Sequence, residues 1–597
     1  MTVNERIEEL RLLMKANGID VYYVPNEDDH LSMEYTADHF KCKSYLTGFS
    51  GEAGCAVVTK DFAGLWTDGR FFTQAEKELD GTCVTLMRMF QEGVPNALDY
   101  VVDATPEGGV LGFDGSVVSA AQASNLEVKL KAKNASLKSD MDLVGKIWGN
   151  ERPAMPQEKL YVLAKKYTGE DAGERLERVR ETMKKNGADV MVLTALEDPC
   201  WVLNIRGNDI ECTPVAYAFA MITARAARYY IDAEKVTPAV AKHFEKYGVT
   251  VRPYNGLASD LKRLHNKNIW TDLRSLNTVL YAAIADDNTI VNKPLPIEKF
   301  RAVKNAAEIR NIRNAHKKDG VAMVRFLRYV KEHVNDGDMT EVSAQNVLYA
   351  YRAEGADYIE PSFPTISAYQ ANGAMMHYCA TDESHAALKP EGFLLVDSGG
   401  TYKDGTTDIT RTIALGKLTD EEKRLYTLVL KGHMALAHAH FLHGTTGNNL
   451  DILARQPLWA IDIDYQCGTG HGVGHVLGVH EGPHSIGWGM RRTPAVLEPG
   501  MIVTDEPGVY LPHELGIRIE NELLVTRGTK NFYGQFLHFE DITYCPYEPE
   551  ALDLSLLSDE ELKWLNDYHA NVRETLTPYL EGEDLAFLNK VTQAITR

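Results

Sequence analysis

In GFLLVDSGGTYKDGTTDITRTIALG, Asp397 ends an apolar run and Asp408 opens a Thr-rich alternating one, with a turn of Gly, Lys and Asp between them. A hairpin centred near Tyr402 and Lys403 would set the two aspartates opposite each other across the ladder, where both reach one ion. Two carboxylates on apolar β segments are costly to bury unpaired, and a cation removes that cost. The pattern recurs in MIVTDEPGVYLPHELGIRIENELLV, where a hairpin centred near His513 brings Glu506 to Glu520 and strand alternation puts Arg518 on the face of Glu520. Any one of these acids, taken singly, reads as a solvated loop carboxylate. Four of them at the ends or interiors of apolar runs read as a site. Four carboxylates with an imidazole suit a hard-to-borderline divalent pair, manganese, cobalt or magnesium before a thiolate-type zinc site. Two such ions about 3.5 to 4 Å apart share a water and ionise it near neutral pH, which is hydrolase chemistry.

Imidazoles are plentiful. The stretch CGTGHGVGHVLGVHEGPH carries Cys467, His471, His475, His480 and His484 among glycines. No P-loop lysine follows, the dinucleotide spacing is absent, and HGVGH lacks the glutamate of a zincin HExxH, so the glycines read as letting backbone approach a metal shell. A second cluster, GHMALAHAHFLHG, holds His433, His438, His440 and His443. On a helix, His433, His440 and His443 fall within roughly 80° of arc. No carboxylate accompanies them, and the expected reading is a helix with partly exposed imidazoles.

The elements that position these groups lie in the last part of the chain, behind an internal repeat. Residues 6–21, RIEELRLLMKANGIDV, and residues 175–190, RLERVRETMKKNGADV, are identical at nine of sixteen positions. Each copy has apolar residues at helical spacing, Asn-Gly as a helix stop, and a short apolar run (VYYV, VMVL) that reads as a buried strand. The chain is therefore expected to begin with two related α/β domains, 1–150 and 151–303, joined through the Pro-containing GNERPAMPQ. The pattern RAVKNAAEIRNIRNAHKKDGVAMVRFLRYV then opens a third region, and every motif above lies in it.

With a net charge of -21 and no basic stripe, neither nucleic acid nor an anionic membrane is an expected partner. The first residues lack the apolar core of a signal peptide, and no stretch reaches the roughly 18 apolar residues of a membrane helix. The eight cysteines fall at irregular spacings without a CxxC pair, which argues against a zinc knuckle or a disulfide framework. A reducing cytoplasm is the expected compartment.

The motifs resemble the pita-bread metallopeptidases, and among them the three-domain Xaa-Pro aminopeptidases. The matching stretches are LTGFSGEAGCAVVT and LWTDGRFF near the start, then PSFPTISAYQANGAMMHY, VDSGGTYKDGTTDITRT, GTGHGVG, VHEGP, VTDEPGVY and GIRIENELLV in the third region. The tail SDEELKWLNDYHANVRETLTPYL resembles the family's C-terminal extension. The fold implied is α/β and α+β: two creatinase-N-like α/β domains, a pita-bread catalytic domain over 304–545, and an extension over 546–597 packed on it.

The resemblance implies five metal ligands, Asp397, Asp408, His471, Glu506 and Glu520. Asp408 and Glu520 bridge two divalent ions, most plausibly manganese; Asp397 completes one, His471 with Glu506 the other. Glu506 also accepts a proton from the bridging water. His377 and His480 match substrate-side histidines, one near the carbonyl or leaving group and one stabilising the tetrahedral intermediate, and the resemblance gives His480 the oxyanion. Arg70 matches a position that reaches the active site of a partner subunit in a homodimer; the bland reading is a surface salt-bridge arginine. The implied reaction releases the N-terminal residue of peptides with proline second. An X-Pro bond is a tertiary amide without N–H, which calls for a dedicated pocket. Alternatives are a prolidase acting on X-Pro dipeptides and a non-catalytic pita-bread binding module. A prolidase register would make His475 the ligand, but its spacing to His480 is too short, whereas His471 to His480 matches the aminopeptidases. Cys467 stands where many relatives have histidine and reads as a buried structural cysteine, and His484 has no assigned role.

Overall fold

A computed structural model describes residues 1–32, 34–489 and 495–597. The chain divides into two compact units, Met1–Ala164 with Glu170–Ile297, and Lys165–Gly169 with Glu298–Arg597.

The first unit is built on the repeat. Helices Val3–Ala16 and Ala172–Lys185 each start with a reciprocal capping box, Thr2 with Glu5 and Asp171 with Glu174. Such caps satisfy amide groups that the helix itself leaves open. Both helices end at Asn-Gly, and Gly18 and Gly187 take the left-handed φ of 63° and 65° that reverses the chain into a strand. The strands that follow, Val21–Val24 and Val190–Leu193, are buried throughout. Each sits third from the far end of a six-stranded sheet, between an antiparallel and a parallel neighbour: Cys55–Thr59 and Val110–Gly112 in one, Phe219–Thr223 and Asn268–Thr271 in the other. The two sheets share strand order and sense throughout, so the repeat seen over sixteen residues extends to the whole topology.

The second unit sets helices outside sheets. Helix Ala306–His333 begins where Asn305 caps Ala307 and Glu308, so the helical pattern expected from residue 301 is interrupted, and Pro296–Ala302 forms a separate short helix. Met323, Phe326 and Val330 of the long helix and Ala344 and Leu348 of helix Glu341–Ala353 pack on Leu394, Val396, Ile409 and Ile413. These last four belong to a three-stranded sheet of Ile366–Tyr369, Phe393–Ser398 and Ile409–Ala414. Helices Asp420–Ala437 and Gly447–Trp459 place Leu436, Leu450 and Ala454 on Val503, Leu523, Val525 and Leu537 of a six-stranded sheet. Because strand side chains alternate faces, positions 397, 408, 506 and 520 point away from those helices. The helix-covered face holds the fold together, and the opposite face is left for chemistry.

Helix Asp559–Leu576, capped by Ser558 with Glu561, adds Leu565, Tyr568, Val572 and Leu576 to an extensive apolar cluster of this unit. Its His569 is fully buried and accepts a hydrogen bond from the Tyr547 amide at Nε2 (3.2 Å). Burial, then Arg411 and Arg573, pushes its pKa down to about 3. The folded chain therefore refuses a proton that the unfolded chain takes below pH ~6.5. Stability from this group is complete above pH ~6.5 and declines as pH falls toward 3, by about 2 kcal/mol at pH ~5. A His569→Gln chain is expected to lose that share of the slope when its melting temperature is followed from pH 7 to 5. An unchanged slope would show that His569 is not a source of acid sensitivity.

Candidate metal centre

The four acids converge. Donor atoms of Asp397, Asp408 and Glu520 lie within 4.8 Å of one another, as do those of His471, Glu506 and Glu520 and those of Asp408, His471 and His480.

Asp397 and Asp408 are not direct ladder partners as expected. Asp397 pairs with Thr410 and Ser398 with Ile409, while Gly400–Tyr402 and Gly405–Thr406 peel off into a separate small sheet with Tyr358–Pro361. The chain changes sheets at Gly399, where a Cβ would stand 1.8 Å from the Thr407 carbonyl oxygen. Asp408 thus falls between two ladders, two residues short of the Asp397 partner position, yet keeps the face of Asp397 by alternation. Its amide donates to Glu522 Oε1 (2.8 Å), which fixes the unladdered residue. The second hairpin behaves as counted: Gly508 pairs with Arg518 and Asp505 with Asn521, so Glu506 and Glu520 face each other where one sheet gives way to the next.

Positive charge is scarce. Arg518, 3% exposed, donates from Nη2 to Asp397 Oδ2 (2.6 Å), from Nη1 to the Tyr510 hydroxyl (2.7 Å) and from Nε to Thr410 Oγ1 (3.2 Å). Thr410 in turn donates to Glu520 Oε2 (2.7 Å). Asp397 Oδ1 and Glu520 Oε1 are buried with no hydrogen-bond partner among the described residues. Burial first, and then Asp397 and Glu506, raise the Asp408 pKa against the favourable His471 bond, to about 6. Burial and the charges of Asp408, Glu506 and Asp397 push Glu520 well above the carboxylate range. Without a cation, burial and mutual repulsion disfavour the ionised forms of Asp408 and Glu520; with one, the same oxygens become a binding site.

His471 completes the cluster. Its Nδ1–H donates to the Gly472 carbonyl (3.0 Å), and its Nε2 lies 3.4 Å from both Asp408 Oδ2 and Glu506 Oε1. Burial lowers its pKa, but Asp408 and Glu506 prevail and lift it to about 9, so Nε2 carries the proton that a metal would replace. Thr504 Oγ1 accepts from the His471 amide (3.0 Å) and donates to Glu506 Oε1 (3.2 Å). The donor set, four carboxylates with one imidazole whose other nitrogen is tied to backbone, fits a pair of divalent ions.

The remaining residues are distributed as follows. The His480 ring is edge-on to His471, centroids 4.2 Å apart, and exposed. His377 is half-buried and follows Met376, whose carbonyl accepts from Arg518 Nη2 (3.4 Å). Arg70 belongs to the first unit, where Asp68 receives its Nε and Nη2 (3.0 Å each) and Glu34 lies 3.5 Å away. His475, 4.0 Å from Glu308, is in none of the three donor groups. His484 is buried and its Nε2–H donates to the Ile502 carbonyl (2.6 Å), a structural strap between strands Glu481–Ile486 and Ile502–Asp505, which strand Gly470–Gly472 separates in the sheet. Cys467 is only partly buried, against the edge of an apolar cluster, rather than fully buried as expected.

The histidine helix also departs from expectation. It ends at Ala437, so His440 lies in strand His440–Leu442 and no common face exists. His433 is wholly buried rather than partly exposed, because the helix is covered by strands on one side and by the C-terminal segment on the other. Thr410, Thr504, Tyr510 and Glu522, which hold the acids in place, lie inside the matching stretches, but neither residue type nor spacing marked them out as site residues.

Comparison with known proteins gives a consistent picture. The pattern of metallopeptidase family M24 matches residues 310–527, and that of its C-terminal region 535–595. Creatinase/prolidase N-terminal domain patterns match 6–144 and 151–308. A probable Xaa-Pro aminopeptidase P of Laccaria bicolor is 39% identical over 98% of this chain and 92% of its own length. The crystal structure of X-prolyl aminopeptidase from Caenorhabditis elegans, described as a cytosolic enzyme with a di-nuclear active site, superposes with a TM-score of 0.95 at 33% identity, covering 100% of both chains. A Xaa-Pro dipeptidase from Bacillus anthracis matches 63% of this chain and 99% of its own, at 25% identity and a TM-score of 0.50. The fold class expected from sequence, two creatinase-N-like domains followed by a pita-bread domain, is borne out.

Proposed function

Because the chain belongs to metallopeptidase family M24 and aligns end to end with Xaa-Pro aminopeptidases, we propose that it is a metal-dependent aminopeptidase releasing the first residue of peptides whose second residue is proline. The observation that carries this reading is the full-length superposition on the nematode enzyme. The dipeptidase resemblance, by contrast, reaches 63% of the chain. A non-catalytic pita-bread module is disfavoured by the intact, converging acids.

Asp397, Asp408, His471, Glu506 and Glu520 would hold two divalent ions, manganese by preference, with Asp408 and Glu520 shared. Bound there, the ions supply an ionised water near neutral pH and a Lewis acid for the scissile carbonyl. The chain's own groups do the rest. Glu506, less enclosed than its neighbours, accepts the proton of the attacking water and returns it toward the departing nitrogen. Arg518 fixes Asp397, and Thr410 fixes Glu520, so neither carboxylate must reorganise during turnover. His480, beside His471, donates to the developing oxyanion, and His377 takes the role at the carbonyl or leaving group. Arg70 contributes to substrate binding in a homodimer. Residues 1–150 and 151–303 serve as accessory domains to a catalytic domain over 304–545 with its extension over 546–597. Among the described residues no helix is long and apolar enough to cross a membrane, and a cytoplasmic site of action accords with the nematode relative.

The test compares Arg-Pro-Pro, Arg-Ala-Pro and Ala-Pro, with manganese added or chelated. Manganese-stimulated release of Arg from Arg-Pro-Pro alone is expected. Equal cleavage of Arg-Ala-Pro would remove the proline requirement, and cleavage of only Ala-Pro would make the protein a dipeptidase.

A further inference from the structure

Strand alternation gives the ladder end beneath the site two chemically distinct faces. Asp505 and Asn521 are direct partners across strands Ile502–Asp505 and Asn521–Asn531. Each stands next in sequence to a site acid, Glu506 or Glu520. Since those acids point to the site, Asp505 and Asn521 point to the helix-covered face. Both are fully buried polar residues in a region otherwise lined by Val503, Leu523 and Val525.

A continuous bridge joins them. Asn521 donates from Nδ2 to the Tyr547 hydroxyl (2.8 Å) and to Asp541 Oδ2 (2.9 Å), while its Oδ1 accepts from Arg411 Nη2 (2.8 Å), which settles the amide orientation. The Tyr547 hydroxyl sits 2.9 Å from His433 Nε2. His433 Nδ1 lies 3.1 Å from the Asp505 carbonyl oxygen and 3.3 Å from its Oδ2. One direction of donation satisfies every link: Asn521 to Tyr547, Tyr547 to His433 Nε2, and His433 Nδ1–H to Asp505. Arg411 also donates from Nη1 to the Glu520 carbonyl (2.7 Å) and from Nη2 to the Cys545 carbonyl (2.8 Å), tying the same ladder end to the segment that carries Tyr547. His433 comes from helix Asp420–Ala437 and Tyr547 from the segment leading into the last helices, so three separate stretches of chain meet behind two adjacent acids.

We propose that His433 and Tyr547 are positioning residues that set the separation of Glu506 and Glu520 through Asp505 and Asn521, without touching ion or substrate. The bridge holds Asp505 by its backbone carbonyl, since both side-chain oxygens of Asp505 lack a hydrogen-bond partner among the described residues, and buried hydrogen bonds from a helix and a distant segment resist movement of the ladder end they grip. Rigidity at this ladder end matters because two acids that share ions must hold their spacing as charge moves. The proposal rests on the two-metal reading above for its consequence, and on the bridge alone for its geometry.

The test uses Tyr547→Phe, which keeps the ring and deletes one hydroxyl, beside Tyr426→Phe. Tyr426 is a buried tyrosine of the same apolar cluster whose hydroxyl accepts, among the described residues, from the Glu548 amide alone (3.0 Å), off the bridge. In full-length protein, amide exchange of peptides covering 502–524 is followed by mass spectrometry without metal; manganese affinity is then titrated, and kcat and KM are measured on Arg-Pro-Pro. Tyr547→Phe is expected to speed exchange there about tenfold, weaken manganese binding about tenfold and lower kcat with KM unchanged, while Tyr426→Phe does none of these. Equal effects of the two variants, or parental exchange in Tyr547→Phe, would overturn the proposal. A parent that binds no metal would fail the two-metal reading instead, and the exchange measurement would still decide the bridge.

Discussion

Asp408→Ala is expected to reduce turnover of Arg-Pro-Pro to below about one thousandth of the parent, under every divalent metal tried. The reason is the residue's place: its donor atoms fall in two of the three groups the structure brings together, once with Asp397 and Glu520 and once with His471 and His480. On the proposed reading a metal-ionised water makes peptide hydrolysis feasible near neutral pH, and Asp408, the acid proposed to be shared by both ions, has no substitute among the described residues. The fold should survive, because removing one of several crowded carboxylates relieves repulsion that burial already makes unfavourable. A melting temperature equal to or above that of the parent in chelator, with activity gone, is the expected pair of readings. Retained turnover would refute a bridging role.

Arg518→Met has the opposite character, a large stability effect in the metal-free protein. Arg518 is the cation bound to Asp397, and Met fills similar volume without charge. Truncating one member of a buried, hydrogen-bonded ion pair typically costs about 3–5 kcal/mol, because the other charge is left stranded. Asp397 would then keep no partner on either oxygen, since Oδ1 already lacks one. Denaturant titration with chelator should show that loss, and saturating manganese should recover part of it by giving Asp397 a new countercharge. A loss below about 1 kcal/mol in chelator would contradict a stabilising Arg518–Asp397 ion pair.

The sequence made the acids and the repeat legible for the same reason: both are carried by local pattern. Asn-Gly stops, apolar runs and the Glu506–Glu520 register depend on spacing along one continuous hairpin, and spacing is countable. Asp408 escaped the count because the chain leaves one sheet at Gly399 and re-enters it at Ile409, a non-local event driven by contact with strand Tyr358–Pro361. His433 escaped it because its burial is set from two sides by strands and by a segment far along the chain. Thr410 and Thr504 look like ordinary strand residues, and only their place between charged groups gives them a task. His484 likewise needed a partner, the Ile502 carbonyl, that no spacing rule supplies.

Metal stoichiometry tests the account most directly. Parent and His471→Ala proteins would be stripped with chelator, reloaded with manganese, desalted and assayed for metal per chain by mass spectrometry. Two ions per parent chain and one or fewer in His471→Ala are predicted. A parent that retains none, or a His471→Ala chain that retains two, would contradict the two-metal centre on which the proposed function stands.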